Sequence, residues 1–208
     1  RRFVGNIVDT EEYDRDAMDD RRPYRVPRGV ALWLTGLPSS GKTTISKELS
    51  KVLHSRDVPN VVLDGDEIRP IIAADIGYSR EERLKSLSRY IQLCNILVRS
   101  NIIIILAVNN HSKRLRDLAR SSYQPNQFVE IWIDCPLDIC KQRDVKGLYR
   151  RALEGEIDDL VGVSFAFEPP DSAEVRIYTP EESSLAAAEK IVQYLEKVKA
   201  IITEGERD

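Results

Sequence analysis

Beyond residue 28 the chain alternates short, mostly apolar runs, uninterrupted at 102–108, with stretches whose apolar residues recur every three or four positions. Runs of the first kind cover 30–35, 60–63, 102–108 and 128–134, with a weaker one at 174–178. An apolar run without polar alternation marks a strand buried on both faces, as in a parallel sheet covered by helices. Helical spacing falls on 43–53 and on 81–100, where Leu84, Leu87, Ile91, Cys94 and Val98 form one stripe. A last helix, from near Pro180, is expected to bury Leu185, Ala188, Ile191, Leu195 and Val198. This order predicts an α/β fold: a parallel five-stranded sheet with helices on both faces, in one domain over 29–208. Residues 1–28 differ, with dense mixed charge, Pro23 and Pro27, and no sustained apolar period. They read as a charged N-terminal arm or linker, trailing from a preceding domain if there is one. Ligands of such sheets collect outside the carboxyl ends of the strands, so the loops after Thr35, Leu63, Val108 and Asp134 should converge on one crevice.

Composition narrows the class without naming a chemistry. Of 208 residues, 42% are hydrophobic and 31% charged, which suits a soluble globular domain. A formal net charge of −3 gives no broad attraction to nucleic acid or to an anionic membrane. The longest apolar run, 102–108, is too short to cross a bilayer, and the chain opens on Arg1-Arg2 without an apolar signal segment, so a cytoplasmic location is expected. An opening residue other than methionine suggests a fragment or a processed chain. Cys94, Cys135 and Cys140 lack the paired spacing of a zinc site and read as reduced thiols, with a Cys135–Cys140 disulfide the less favoured alternative.

Chemistry enters at Gly36-Leu37-Pro38-Ser39-Ser40-Gly41-Lys42-Thr43, which matches G-x-x-x-x-G-K-[ST] between a predicted strand and a predicted helix. Glycine at both ends lets consecutive N–H groups turn toward phosphate oxygens, and the following helix offers its partly positive N-terminus to the same anion. Lys42 would bridge the outer phosphates of ATP and the Thr43 hydroxyl would ligate Mg²⁺. The motif therefore predicts a P-loop NTPase fold with ATP on residues Gly36 to Thr43 and on Thr44 beyond them. Second motifs choose the branch. No guanine-reading NKxD is present, and Asp144-Val145-Lys146-Gly147 satisfies DxxG, a pattern too short to weigh. The length leaves little room for a motor's coupling domains. An ATP-dependent kinase of a small-molecule hydroxyl is the expectation.

Three further stretches resemble the adenylylsulfate kinase family. They are Leu63-Asp64-Gly65-Asp66-Glu67-Ile68-Arg69, then Ile76-Gly77-Tyr78-Ser79 leading to Arg83, and Cys135-Pro136-Leu137 running to Arg143-Asp144-Val145-Lys146-Gly147-Leu148-Tyr149. The similarity runs from about Gly29 to the final helix. It implies phosphorylation of the ribose 3′-hydroxyl of adenosine 5′-phosphosulfate to 3′-phosphoadenylylsulfate, with ATP and Mg²⁺. Catalysis would rest on Lys42, on Asp66 as the base and on Asp64, which with Thr43 would orient the metal. Asp64-Gly65-Asp66 as a simple turn-forming link is the less favoured alternative. The resemblance also implies acceptor contacts from Arg69 and Arg83, an aromatic Tyr78 packed on the acceptor base, and a lid over 143–149. That lid would bring Arg143 to ATP and Lys146, Gly147 and Leu148 to the acceptor. Phe165 and Phe167 are expected to wall the same pocket, although aromatics are often simply core.

The chain departs from the family's pattern on one side of the reaction. Glu67 stands where the family has asparagine, and Ser86-Leu87-Ser88-Arg89 replaces Asn-Ile-Arg-Arg. Asn109-Asn110-His111 replaces Ile-Ser-Pro, and Ser164-Phe165-Ala166-Phe167 replaces Asp-Ser-Pro-Tyr. All four lie on the acceptor side, so Ser86, Asn109, Asn110 and His111 join the candidate acceptor residues. His111 could donate to an acceptor anion if protonated, or be an ordinary loop histidine; His54 reads as a helix C-terminal charge. Arg69, Arg83 and Lys146 keep the acceptor an anionic nucleotide. Two alternatives follow: a kinase of another such nucleotide, for example CDP-phosphoramidate, or a non-catalytic nucleotide-binding regulatory domain. A homodimer, or fusion to a preceding domain, is compatible with the arm.

Overall fold

The computed structural model describes residues 24–25, 28–77 and 79–203. Most of the predicted arm and Tyr78 lie outside them. In chain order the elements are β1 (Tyr24–Arg25), β2 (Val30–Thr35), α1 (Lys42–His54), β3 (Asn60–Asp64), α2 (Gly65–Ile72), α3 (Arg80–Arg99), β4 (Ile103–Ala107), α4 (Lys113–Ser121), β5 (Phe128–Asp134), α5 (Leu137–Arg143), α6 (Leu148–Leu153), β6 (Val175–Tyr178), α7 (Ser184–Lys197) and β7 (Ile202–Thr203). Five strands form one sheet in the order β3-β4-β2-β5-β6, every neighbouring pair parallel.

The unbroken apolar runs are explained by burial on both sheet faces. Every residue of β2 and β4 is buried. Val30, Leu32 and Leu34 point with Ile103, Ile105 and Ile131 toward α1 and α7, meeting Leu49, Leu53, Ile191 and Leu195. Their neighbours Ala31, Trp33, Ile104 and Leu106 face α3 and α4 through Leu87, Ile91, Cys94 and Ala119. Each such aliphatic side chain contributes about 1.5–3 kcal/mol on full burial. The two half-cores together clamp β2, and with it the loop that β2 launches.

Several boundaries differ from the sequence expectation. α7 begins at Ser184, not near Pro180, because Ser183 caps it by accepting from the Ala186 N–H at 3.2 Å. Leu185 is consequently 52% exposed in the first turn, and the buried stripe is Ala187, Ala188, Ile191, Val192 and Leu195, with Val198 only partly covered. α3 starts one residue earlier than expected, at Arg80, under a capping box between Ser79 and Glu82. α2, α4, α5 and α6 were not anticipated: they run from six to nine residues, too short for a helical period to stand out. Within the predicted arm, Tyr24–Arg25 pairs antiparallel with Ile202–Thr203. The three cysteines are free and buried, in line with the reduced-thiol reading. Among the described residues no helix is long and apolar enough to cross a membrane.

Candidate active site

The loop between β2 and α1 has the geometry its motif requires. A side chain at Gly36 would collide with the carbonyl of Ile133 on the neighbouring strand, and Gly41 holds φ 111 at the N-cap of α1. No side chain caps α1 and its first turn carries no acidic residue, so its positive end and open N–H groups remain available for an anion. Ser39 holds φ 60, a left-handed conformation that is strained for a residue with a Cβ. Ser39→Gly should therefore raise the unfolding free energy by up to about 1 kcal/mol. Urea denaturation reads this, and a fall in stability would mean that the serine side chain compensates for its backbone.

Lys42 folds back into the loop, its Nζ donating to the carbonyls of Gly36 at 2.9 Å and Leu37 at 2.7 Å. Burial lowers its pKa to about 8, partly offset by Asp66. The cation is present below that pH and is lost above it. ATP affinity should hold to pH 8 and then fall, by at most about tenfold per pH unit, as the free enzyme must take up a proton to bind the triphosphate. Calorimetric ATP titrations between pH 7 and 9 test this, and a flat profile would show that Lys42 stays charged throughout.

Asp64 closes β3 and caps α2. It is 5% exposed, its Oδ1 accepts from the Asp66 N–H at 3.0 Å and its Oδ2 accepts from the Thr43 hydroxyl at 2.6 Å. A hydroxyl and a carboxylate this close are hard oxygen ligands suited to Mg²⁺. Among the described residues no cluster of three or more His, Cys, Asp or Glu side chains could hold a metal. That fits an ion which takes one or two protein oxygens and completes its shell with phosphate and water.

Two cavities meet at the carboxyl ends of the strands. The larger, about 510 Å³, is lined by Pro38, Ser39, Gly41, Lys42, Thr43, Thr44, Asp64, Arg143 and Lys146. The smaller, about 90 Å³, is lined by Arg69, Arg83, Ser86, Asn109 and Asn110. Gly65, Asp66 and Asn109 border both. Asp66 pairs with Lys146 from the loop between α5 and α6, which raises the lysine pKa. Arg143 ties the end of α5 to the nucleotide loop, donating to the Ser40 carbonyl at 3.3 Å and to Thr179 Oγ1 at 3.1 Å. Arg69 donates to the carbonyls of Ile76 at 2.7 Å and Gly77 at 2.5 Å and to Ser86 Oγ at 3.3 Å. Arg83 donates to the Asp159 carbonyl at 2.9 Å and lies over the Phe165 ring.

Other expected residues sit elsewhere. Gly36, Leu37 and Ser40 line neither of these cavities; Leu37 packs into an apolar cluster with Cys135, Cys140, Tyr149 and Leu160. Leu148 faces the large cavity and not the acceptor side, and Gly147 serves as the left-handed N-cap of α6. Phe165 and Phe167 do not wall the small cavity: they line a separate groove with Trp132, and back the site through Arg83 and Arg116. Of the two readings of His111, its surroundings favour the ordinary loop histidine. Burial, then the Arg83 charge, lowers its pKa, so it is neutral at pH 7. Sequence reasoning missed Thr179 and Glu182 on the large cavity, although the carboxyl-end rule applied to β6 points to that loop. It also missed a role for the buried Tyr149, whose hydroxyl donates to the Pro38 carbonyl at 3.1 Å and ties α6 to the nucleotide loop.

Comparison with known proteins gives this geometry a lineage. The profile of the adenylylsulphate kinase family matches residues 28–178. The adenylyl-sulfate kinase of Thermodesulfovibrio yellowstonii is 36% identical over 177 residues, covering 85% of this chain and 88% of that one. That of Gloeothece citriformis is 37% identical over 171 residues, covering 82% of this chain and 96% of its own. Among solved structures, Mycobacterium tuberculosis APS kinase CysC in complex with AMPPNP and APS superposes with a TM-score of 0.78 at 31% identity, covering 82% of this chain and 99% of that one. The chain belongs to the adenylylsulphate kinase family.

Proposed function

We propose that this chain transfers the γ-phosphoryl group of ATP to the 3′-hydroxyl of adenosine 5′-phosphosulfate. The observation that carries this reading is the position of Asp66, on the border between the cavity headed by the phosphate loop and a smaller one flanked by two arginines. ATP fits the larger cavity with its phosphates on Lys42 and the N-terminus of α1. Thr43 and Asp64 would hold Mg²⁺, which supplies charge neutralisation on the phosphate oxygens. Asp66 then takes the proton of a hydroxyl presented from the small cavity, while Arg69 and Arg83 offset the acceptor's negative charge. Lys146, paired with Asp66, adds a cation where charge develops. We place the reaction in the cytoplasm, where ATP and reduced thiols coexist.

ADP release in the presence of adenylylsulfate tests this. Turnover dependent on that acceptor is expected, and none in a protein that binds ATP would reject it. A second reading, phosphorylation of another anionic nucleotide such as a cytidine diphosphate derivative, is favoured by one observation. Ser86, Asn109 and Asn110, which depart from the family's pattern, all line the small cavity. The same assay with such an acceptor separates the two.

A further inference from the structure

We infer that Asn110 sets acceptor specificity by donating a hydrogen bond from its carboxamide to an anionic oxygen of the incoming nucleotide. The inference rests on the kinase reading above and adds a selector to it. Asn110 is 6% exposed and lines the small cavity beside Asp66, Arg69 and Arg83. Its Nδ2 is buried and has no hydrogen-bond partner among the described residues. An amide donor left so destabilises the empty protein. The surrounding bonds show why the loop does not simply turn it away.

The Asn110 carbonyl is held twice, by Thr35 Oγ1 at 3.0 Å and by Arg116 Nη1 at 3.1 Å. Thr35 ends the strand beneath the phosphate loop. Arg116, 3% exposed, is itself fixed by Glu130 at 2.8 Å, and Glu130 meets Arg120, which is clamped on Glu174 at 2.6 Å. An ion-pair chain, buried at Arg116 and Glu130, thus immobilises the backbone that carries the unpaired amide. Such rigidity around an unsatisfied donor is what a binding site needs if the ligand is to supply the missing acceptor. Because the flanking Arg69 and Arg83 favour an anion, the missing partner is a phosphate or sulfate oxygen. A neutral N–H donates to such an oxygen and rejects a donor group in its place.

The test uses the full chain, with acceptor affinity measured by calorimetry in ADP and Mg²⁺, for adenylylsulfate and for cytidine diphosphate. Asn110→Ala should weaken binding of the true acceptor about 10-fold or more, as expected for a hydrogen bond to a charged group. Asn110→Asp, which sets a carboxylate against the anion, should weaken it further. ATP affinity should change by less than about twofold and the melting temperature of Asn110→Ala should not fall, since the empty protein loses an unpaired donor and no bond. Unchanged acceptor affinity in Asn110→Ala overturns the inference, as does a lowered melting temperature with parallel loss of ATP binding, the mark of a structural role. If wild type fails to phosphorylate adenylylsulfate but binds cytidine diphosphate, the acceptor assignment falls, and the Asn110→Ala effect on that nucleotide decides the selector separately.

Discussion

Asp66→Ala should lower turnover about 10²–10⁴-fold, the range for loss of a positioned general base, while calorimetry still records ATP binding. The two effects separate because of where the carboxylate stands. Asp66 borders the nucleotide cavity, but the contacts proposed for phosphate come from the loop and from α1, which the substitution leaves in place. The Asp66 side chain is largely exposed and its salt bridge is to the equally exposed Lys146, so little stability is at stake. Single-turnover measurement at saturating ATP is the decisive readout, because it excludes product release. Near-normal chemistry in this variant would show that the hydroxyl proton leaves by another route, and that the shared border of the two cavities is not the transfer point.

Lys42→Ala should produce the second largest effect, a fall in kcat of about 10²–10³-fold together with weakened ATP binding. The ammonium is held by carbonyls at both Gly36 and Leu37, so it is prepositioned within the loop and has little reorganisation to undergo when phosphate arrives. It is also desolvated, which strengthens its pull on any anion that enters. Preserved ATP affinity in Lys42→Ala would mean that the triphosphate lies elsewhere than on this loop. The paired outcome separates the two residues: loss of chemistry alone for Asp66, and loss of both chemistry and binding for Lys42.

The sheet was legible because its signal is local. β2 and β5 match the predicted runs, and β4 falls within its own, since a strand buried on both faces is apolar nearly throughout, Glu130 of β5 being buried only through its pair with Arg116. The phosphate loop was legible because its function resides in consecutive backbone groups, which leave a fixed glycine spacing in the chain. Short helices were not, as α4 shows: it is mostly charged, and only Leu115 and Ala119 record its packing against the sheet. Leu185 misled because a start near Pro180 carries the apolar stripe into a first turn that the Ser183 cap leaves facing solvent. The acceptor side was partly legible: Arg69, Arg83, Ser86, Asn109 and Asn110 do gather in one cavity, whereas Phe165, Phe167 and Leu148 face elsewhere.

By itself the sequence determined the order of the five sheet strands and the three long helices, the nucleotide loop and the carboxylates at the end of β3, since each depends on neighbours within a few residues. Only the tertiary structure decided that Asp66 borders both cavities, that Lys146 reaches it from 80 positions away, and that Thr35 and Arg116 converge on the carbonyl of Asn110. The physical reason is that backbone conformation and burial pattern are written in local spacing. A carboxylate's partners and a buried amide's lack of one are instead set by which distant segments the sheet order brings together.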